Sequence, residues 1–461
     1  MNGVKVRWGA IVAGFGLAVS GCVGQPIGKA PTTPRGPKGG PATVGVILPL
    51  SGDKAMVGRR SLDGIECAAG KRAPCAARAN ITIVTRDSAG SPVKATEAVD
   101  ALVQQEHVAA IIGPIDSPSA KPAAERAEQL SVPFISLSPG ASIARIGPHT
   151  YRVGINPAKL VHAIARYAVK ERGFTRFAIL HPESHYGTAN RDLFRNAITS
   201  LGGQIVVERP YKANIGQIVA ARDRLSQMPR PPKTEVAVEV TSTEGQPSIE
   251  EPPPLPKLAA LDGVDAVFIP DSPRSVASLL KAYGPKVLGG ATILGVNSLN
   301  DPAILAGGQA VEGALFADGF FRDSAQVDTQ QFVSTFAQAF NHDPTRLEAE
   351  GYDALQFVAE GVRKGGSTPE ALQRALQRTK KLHGVTGTMR FTSEGDVDKE
   401  VFILTIAGGR IQEVGRRSAD LRAEYETGEP KFRASSAPLD AERYGGKNAP
   451  TPGQDWDKYA E

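Results

Sequence analysis

VAAIIGPIDSPSAKPAAERAEQLSVPFISLS, residues 108–138, is the stretch whose reading decides the fold. It opens on an uncharged apolar run, Val108–Ile112, which empties into Gly113 and Pro114. Asp116, Ser117, Pro118 and Ser119 follow, then a helical pattern, KPAAERAEQL, and a second apolar run, PFISLS. A short strand that is apolar throughout is covered on both faces, and strand–helix–strand at this spacing predicts neighbouring parallel strands. In such sheets ligands sit beyond the carboxyl ends of the strands. The small hydroxyl residues stand at that edge and at a helix N-terminus, where free backbone N–H groups favour an anion. Ser117 or Ser119 is therefore expected to cap the helix and, together with Ser138 and the backbone around Gly140, to face a ligand.

The same rhythm extends outward. TVGVILPL, ITIVTRDS and VAAIIGP read as strands alternating with RRSLDGIECAAG, PVKATEAVDALVQQE and SAKPAAERAEQL as helices. After TYRVGI a second series begins with PAKLVHAIARYAVKER, RFAILHP, YGTANRDLFRNAITSLG, QIVVERPY and NIGQIVAARDRLSQM. It continues through VDAVFIPD, SVASLLKAY, ATILGV and VEGALFADG. The expected fold is α/β, with two doubly wound parallel-sheet lobes in succession.

The N-terminus reads differently. MNGVKVRW carries Lys5 and Arg7, an apolar run follows, and Val19-Ser20-Gly21-Cys22 stands where cleavage is expected. This is the pattern of a secretory signal over residues 1–21, ending in a lipobox whose Cys22 carries lipid. Residues 22–42, rich in Pro and Gly, read as a flexible tether. Export implies an oxidising compartment, so Cys67 and Cys75 are expected to pair as a disulfide, the alternative being two unconnected buried thiols. The expected location is the periplasm, with anchoring to a bacterial membrane through the N-terminal lipid.

A chain of 461 residues suggests two or three domains, and 41% apolar with 22% charged residues is ordinary for a globular protein. The 53 basic and 48 acidic residues are well mixed, which leaves no electrostatic footprint for nucleic acid. No His-Glu-x-x-His, Walker loop or Gly-x-Ser-x-Gly occurs in the mature chain, so neither an enzyme, a cofactor nor a metal is expected. His181 and His185 read as cleft-edge or surface residues. Residues 229–257, with PRPPK and EEPPPLPK, read as an insertion in the second lobe, and residues 416–461 as a disordered tail.

Several phrases, in order, resemble the type I periplasmic binding fold of the leucine/isoleucine/valine-binding proteins. They are TVGVILPLSGDKAMVGRRSLDGIECA, RDSAGSPVKATEAV, IIGPIDSPSAKPAA, VPFISLSPGAS, ILHPESHYG, GYDALQFVAEGV and GTMRFTSEGDVDKEVFILTI. The resemblance runs from about Thr43 to Val414. It implies two lobes joined by three crossovers, near Gly154–Asn156, Gly319–Phe321 and Arg390–Phe391. The first lobe would be residues 43–155 with 321–390, and the second 156–320 with 391–415. It implies that the two serine loops bind a ligand carboxylate and that Tyr186 lines the cleft from the second lobe. An amino-acid binder also needs an acidic residue for the ligand's ammonium. The acidic position here is Asn297, which cannot supply that charge. Asp271 is the candidate substitute, with turn-maker or N-cap to the helix from Pro273 as its plainer role. The implied function is capture of a small amino-acid-like or carboxylate ligand for an ABC permease. The same fold also serves lipoproteins that activate penicillin-binding proteins, and the tether, insertion, tail and missing acid favour that alternative.

Overall fold

The computed structural model describes residues 41–140, 142–212, 261 and 263–414. The expected leader, Cys22, nearly all of the tether, the helix from Asn214, the proline-rich insertion and the tail lie outside these residues.

The first lobe begins with β1 (Ala42–Leu48), α1 (Ala55–Ala68), β2 (Ile81–Asp87), α2 (Pro92–Gln104), β3 (Ala110–Ile112), α3 (Ser117–Gln129), β4 (Phe134–Ser136) and β5 (Thr150–Arg152). Its sheet has the order β2-β1-β3-β4-β5 and every pairing is parallel. The second lobe follows with α4 (Pro157–Arg166), β6 (Arg176–Pro182), α5 (His185–Ser200), β7 (Gln204–Tyr211), β8 (Ala266–Phe268), α6 (Pro273–Val287), β9 (Thr292–Gly295) and β10 (Leu315–Asp318). The chain then returns to the first lobe for α7 (Val327–Phe340), α8 (Arg346–Arg363), α9 (Pro369–Arg378), β11 (Lys381–Gly384), β12 (Gly387–Phe391) and β13 (Val397–Lys399). It ends in the second lobe with β14 (Phe402–Ala407) and β15 (Arg410–Glu413). That lobe's sheet runs β15-β14-β10-β9-β8-β6-β7, parallel from β10 to β7 and antiparallel at β14 and β15.

The apolar strands are covered on both faces, as their sequence requires. Val44, Val46 and Leu48 of β1 point into one core, while Ile47 points into another with Val99 and Leu102 of α2. Ala178 and Leu180 of β6 enter one core of the second lobe, and Phe177 and Ile179 the other. Alternate side chains of one strand thus serve opposite faces. Cys67, at the end of α1, is bonded to Cys75 with Cα atoms 5.1 Å apart.

Two crossovers fall where expected. Val153 belongs to a first-lobe core and Ile155 to a second-lobe core, on either side of Gly154. Phe320 enters the first lobe, while Phe321 packs toward Phe402 in the second. The third crossover requires a correction. Arg390–Phe391 lies inside β12, which pairs on both sides, with β11 and β13. Phe391 stacks on Phe357 of α8 at 4.1 Å, and Met389 and Val397 are in the same first-lobe core. Burial of these side chains holds the β12–β13 hairpin in the first lobe, so the chain crosses at Glu400–Val401, between β13 and β14.

Candidate functional site

The carboxyl end of β3 makes a tight exit. Gly113 has φ +99°, and a Cβ there would stand 2.0 Å from the Ile47 carbonyl oxygen of β1. Only glycine lets the backbone pass this close at positive φ. The exit leads to Asp116, which caps α3: its Oδ1 accepts from the Ser119 amide at 3.2 Å and from the Ser119 hydroxyl at 2.8 Å. The expectation that Ser117 or Ser119 caps the helix is therefore corrected. A carboxylate reaches the third amide and accepts strongly there. Ser119 is fully buried, and its hydroxyl donates to the cap.

Ser117 is thereby released from capping. Its Oγ lies 2.7 Å from Ser138 Oγ, and both side chains are buried. Ser138 Oγ also accepts from the Gly140 amide at 3.2 Å, and the Ser138 amide donates to Ser136 Oγ at 3.1 Å. Two hydroxyls sharing one hydrogen bond leave one O–H over. The serine pair thus keeps one O–H donor unengaged, and the Ser117 amide has no acceptor among the described residues. Gly140 contributes less than expected, because its N–H is already committed to Ser138. At the rim Lys54 Nζ stands 3.7 Å from Asp116 Oδ1. Met56 and Val93, in the first turns of α1 and α2, are 72% and 66% exposed.

The loop that carries Ser138 is fixed from beneath by a group that the sequence reading missed. Arg152, at the end of β5, is fully buried. Its Nη1 donates to the Pro139 carbonyl at 2.8 Å, and its Nε and Nη2 donate to Asp396 Oδ1 at 3.0 and 2.5 Å. One guanidinium therefore ties the second serine loop to the β12–β13 turn.

On the second lobe, Tyr186 lies in the first turn of α5 rather than at the end of a strand. Ser184 caps that helix by accepting from the Gly187 amide at 3.1 Å, and a Cβ on Gly187 would stand 2.3 Å from the Pro182 carbonyl oxygen. This close start sets Tyr186 at the sheet edge, half-buried. Burial raises its pKa, and its surroundings include Ser298 and the charges of Arg346, Asp271 and Asp318. The Ser298 hydroxyl is buried beside the Tyr186 hydroxyl. His181, expected at the cleft edge or surface, is buried within β6.

Asp271 is not the cap of α6. Ser272 caps it, accepting from the Ser275 amide at 3.2 Å. Asp271 takes the Tyr211 hydroxyl on Oδ2 at 2.8 Å and the Ser272 amide on Oδ1 at 2.6 Å. Burial raises its pKa. Both of its oxygens are thus engaged within the second lobe. Asn297 opens a short helical turn after β9, half-buried, and its side chain has no hydrogen-bond partner among the described residues.

The acid beside this position is Asp318. Leu315 pairs with Leu294 and Phe316 with Gly295, so Asp318 ends the strand next to the one from which the Asn297 turn departs. Asp318 is buried, accepting from Asn300 Nδ2 at 2.8 Å and from the Gly319 amide at 2.6 Å. Burial pushes its pKa up to about 6, against the pull of Arg346. Arg346 opens α8 and donates through Nη1 to Glu350 Oε2 at 2.6 Å. Behind this pair Lys399 Nζ donates to Thr386 Oγ1 at 3.0 Å and lies 4.0 Å from Glu350. Thr386 in turn donates to Asp353 at 2.6 Å. A lone acid ending an apolar strand, ALFAD before a glycine, was the available signal for Asp318. For Arg346 it was a cation at a helix start.

A carboxyl group whose pKa is raised by folding binds its proton more tightly in the folded state. Stability then falls as pH rises from the unfolded value, near 4, through the folded value of about 6. Asp318→Asn removes this dependence. Urea unfolding between pH 4 and 7 is expected to show the variant gaining on the parent as pH rises, by up to about 3 kcal/mol. A constant difference across that range would rule out the buried acid as the source.

With this geometry in place, comparison with known proteins defines the class. The family model described as periplasmic binding protein matches residues 41–221 and 238–410, and the chain belongs to that family. Among curated proteins no relative is detected by sequence. The solved structures of similar fold include a leucine-binding protein from Thermotoga maritima, with 21% identity over 81% of this chain and 98% of that one, and a TM-score of 0.59. A putative branched-chain amino acid ABC transporter protein from Rhodospirillum rubrum has 21% identity over 81% of this chain and 100% of that one, with a TM-score of 0.63. A solute-binding protein of an ABC transporter from R. palustris, solved with benzoate, has 19% identity over 82% and 96%, with a TM-score of 0.59. The chain thus has the type I periplasmic binding fold, in a family of solute-binding proteins that act outside the cytoplasm. Among the described residues no group of three or more His, Cys, Asp or Glu side chains could hold a metal, and no helix is long and apolar enough to cross a membrane.

Proposed function

We propose that this protein captures a small carboxylate-bearing solute between its lobes and presents it to an ABC permease, tethered to the membrane through lipid on Cys22. The observation that carries this reading is the buried Ser117–Ser138 hydroxyl pair at the start of α3, 2.7 Å apart and with one donor left over. A carboxylate accepts from such donors in charge-assisted bonds, which are about twice as strong as neutral ones. Tyr186 supplies a flat apolar face with a polar tip from the opposite lobe. Binding energy goes into closing the lobes about the crossovers.

The test is thermal melting of the full chain against amino acids, short peptides and simple carboxylates. A ligand at 100 times its Kd adds about 2.7 kcal/mol of stability, a readable shift. A melting curve indifferent to every compound would sink the capture role. Crosslinking in envelope extracts tests the partner: a permease is the expected catch. Recovery of a peptidoglycan synthase without a permease would favour the penicillin-binding-protein activator reading instead.

A further inference from the structure

The tether joins the fold at the amino-terminal edge of the first-lobe sheet. Ala42 opens β1, and its amide donates to the Asn80 carbonyl at 3.1 Å, beside the start of β2. The surface around this point is basic, unlike the chain as a whole. Residues 69–80 contain Lys71, Arg72 and Arg78 and no acid. The Cys67–Cys75 bond closes the loop that carries the first two. Arg78 donates through Nε to the Tyr352 hydroxyl at 2.7 Å, and its carbonyl accepts from Arg363 Nη1 at 3.0 Å. Lys364 follows at the end of α8, and its Nζ donates to Thr379 Oγ1 at 3.1 Å. Lys380 and Lys381 come next and lead into β11. These contacts carry one basic surface from Ala42 to β11, and its Lys and Arg residues are exposed. The acids among them are Glu66, beside Arg72, and Glu360, which pairs with both Arg363 and Lys364. One carboxylate shared by two cations leaves a positive excess. Residues 361–381 hold six basic residues and one acid, against 53 and 48 in the whole chain. Arg363 and Arg378 complement the dipoles of the helices they end. Lys380 and Lys381 stand beyond the helix, so that account does not cover them.

We infer that this basic face rests on the phosphate headgroups of an anionic membrane, to which lipid on Cys22 brings it. The inference rests on the lipid anchor of the proposed function and gives the anchored body an orientation. Residues 22–41, however arranged, span at most about 70 Å, so Ala42 stays within that reach of the bilayer. Lys and Arg are drawn to anionic headgroups within a Debye length, about 10 Å at 0.1 M salt. A basic patch is also an effective second anchoring signal beside a lipid chain. The orientation suits capture. The strands are parallel, so Ser117 and Ser138 lie at the edge of the sheet opposite Ala42, and β1 between the two edges is roughly 20 Å long. The face meets the lipid while the serine loops stay clear of it.

The full chain with Cys22→Ser, which cannot take the lipid, isolates the face. It is expected to cosediment with vesicles of equimolar phosphatidylcholine and phosphatidylglycerol, and not with phosphatidylcholine alone. Salt at about 1 M, where the Debye length is about 3 Å, should release it. Adding Lys71→Glu, Lys380→Glu and Lys381→Glu is expected to weaken the association at least about tenfold. Lys170→Glu, Arg172→Glu and Arg410→Glu make the same change of net charge at exposed second-lobe positions, and are expected to leave it within about twofold. The lipid and salt comparisons need no substitution in the face, so they stand even where a variant folds poorly. Binding no stronger to the anionic vesicles, or an equal loss in both triple variants, would overturn the inference. A parent chain that still fractionates with membranes through Cys22 would then leave the lipid anchor standing. A parent found by mass spectrometry to carry no lipid would overturn the anchor and the inference together.

Discussion

Replacing Arg152 by methionine is expected to lower the stability of the protein by about 3 kcal/mol. Methionine fills much of the same volume and keeps the site apolar, so the loss comes from the partners left behind. The Pro139 carbonyl loses its donor, and the Asp396 carboxylate loses both guanidinium contacts and keeps the Val397 amide. Asp396 is 28% exposed, so water recovers part of its solvation and holds the cost near the lower end for a broken buried pair. The turn beneath also loses an anchor. The Arg152 amide still bonds the Gly395 carbonyl, and Gly395 still presses on Thr150, where a Cβ would stand 2.2 Å from the carbonyl oxygen. Ligand affinity should fall too, because the loop carrying Ser138 is held through Pro139. Calorimetry on variant and parent checks the first effect. A variant of unchanged melting temperature would show that the backbone contacts alone hold the turn.

The second large effect is on binding. Ser117→Ala combined with Ser138→Ala is expected to weaken the best carboxylate ligand about 100-fold, or about 2.7 kcal/mol. Each hydroxyl lost removes either the spare donor or the partner that aims it. Because Asp116 and not a serine caps α3, the helix itself should survive. Stability should fall by only about 1–2 kcal/mol, mainly from the Gly140 amide that loses its acceptor. Asp116→Ala is the complementary control: it removes the cap and is expected to cost about 1 kcal/mol of stability. A serine double variant that melts earlier but binds as before would reduce the pair to a structural role.

Position at a sheet edge was legible in the sequence; partnership was not. The apolar runs, the glycine at 113 and the polar loops placed Ser117, Ser138, Asp271 and Asn297 at the carboxyl ends of parallel strands. Which oxygen caps α3 depends on side-chain reach, and Asp116 reaches the Ser119 amide first. Asp271 read as free to meet an ammonium, and Tyr211, 60 residues earlier, already holds it. Arg152 and Asp318 each stand singly in an apolar segment. The carboxylate that Arg152 meets, Asp396, lies 244 residues away, whereas Arg346 meets Glu350 within its own helix.

Local periodicity and composition sufficed for the alternation of strands and helices, the two lobes, the cysteine pair and the serine loops. These follow from burial on two faces of a strand and from the needs of a helix start, which nearby residues satisfy. The tertiary structure alone decided where the third crossover falls, since Phe391 and Val397 choose their lobe by the core that receives them. It alone also brought Arg152 to Asp396, an ion pair whose two side chains come from segments 244 residues apart.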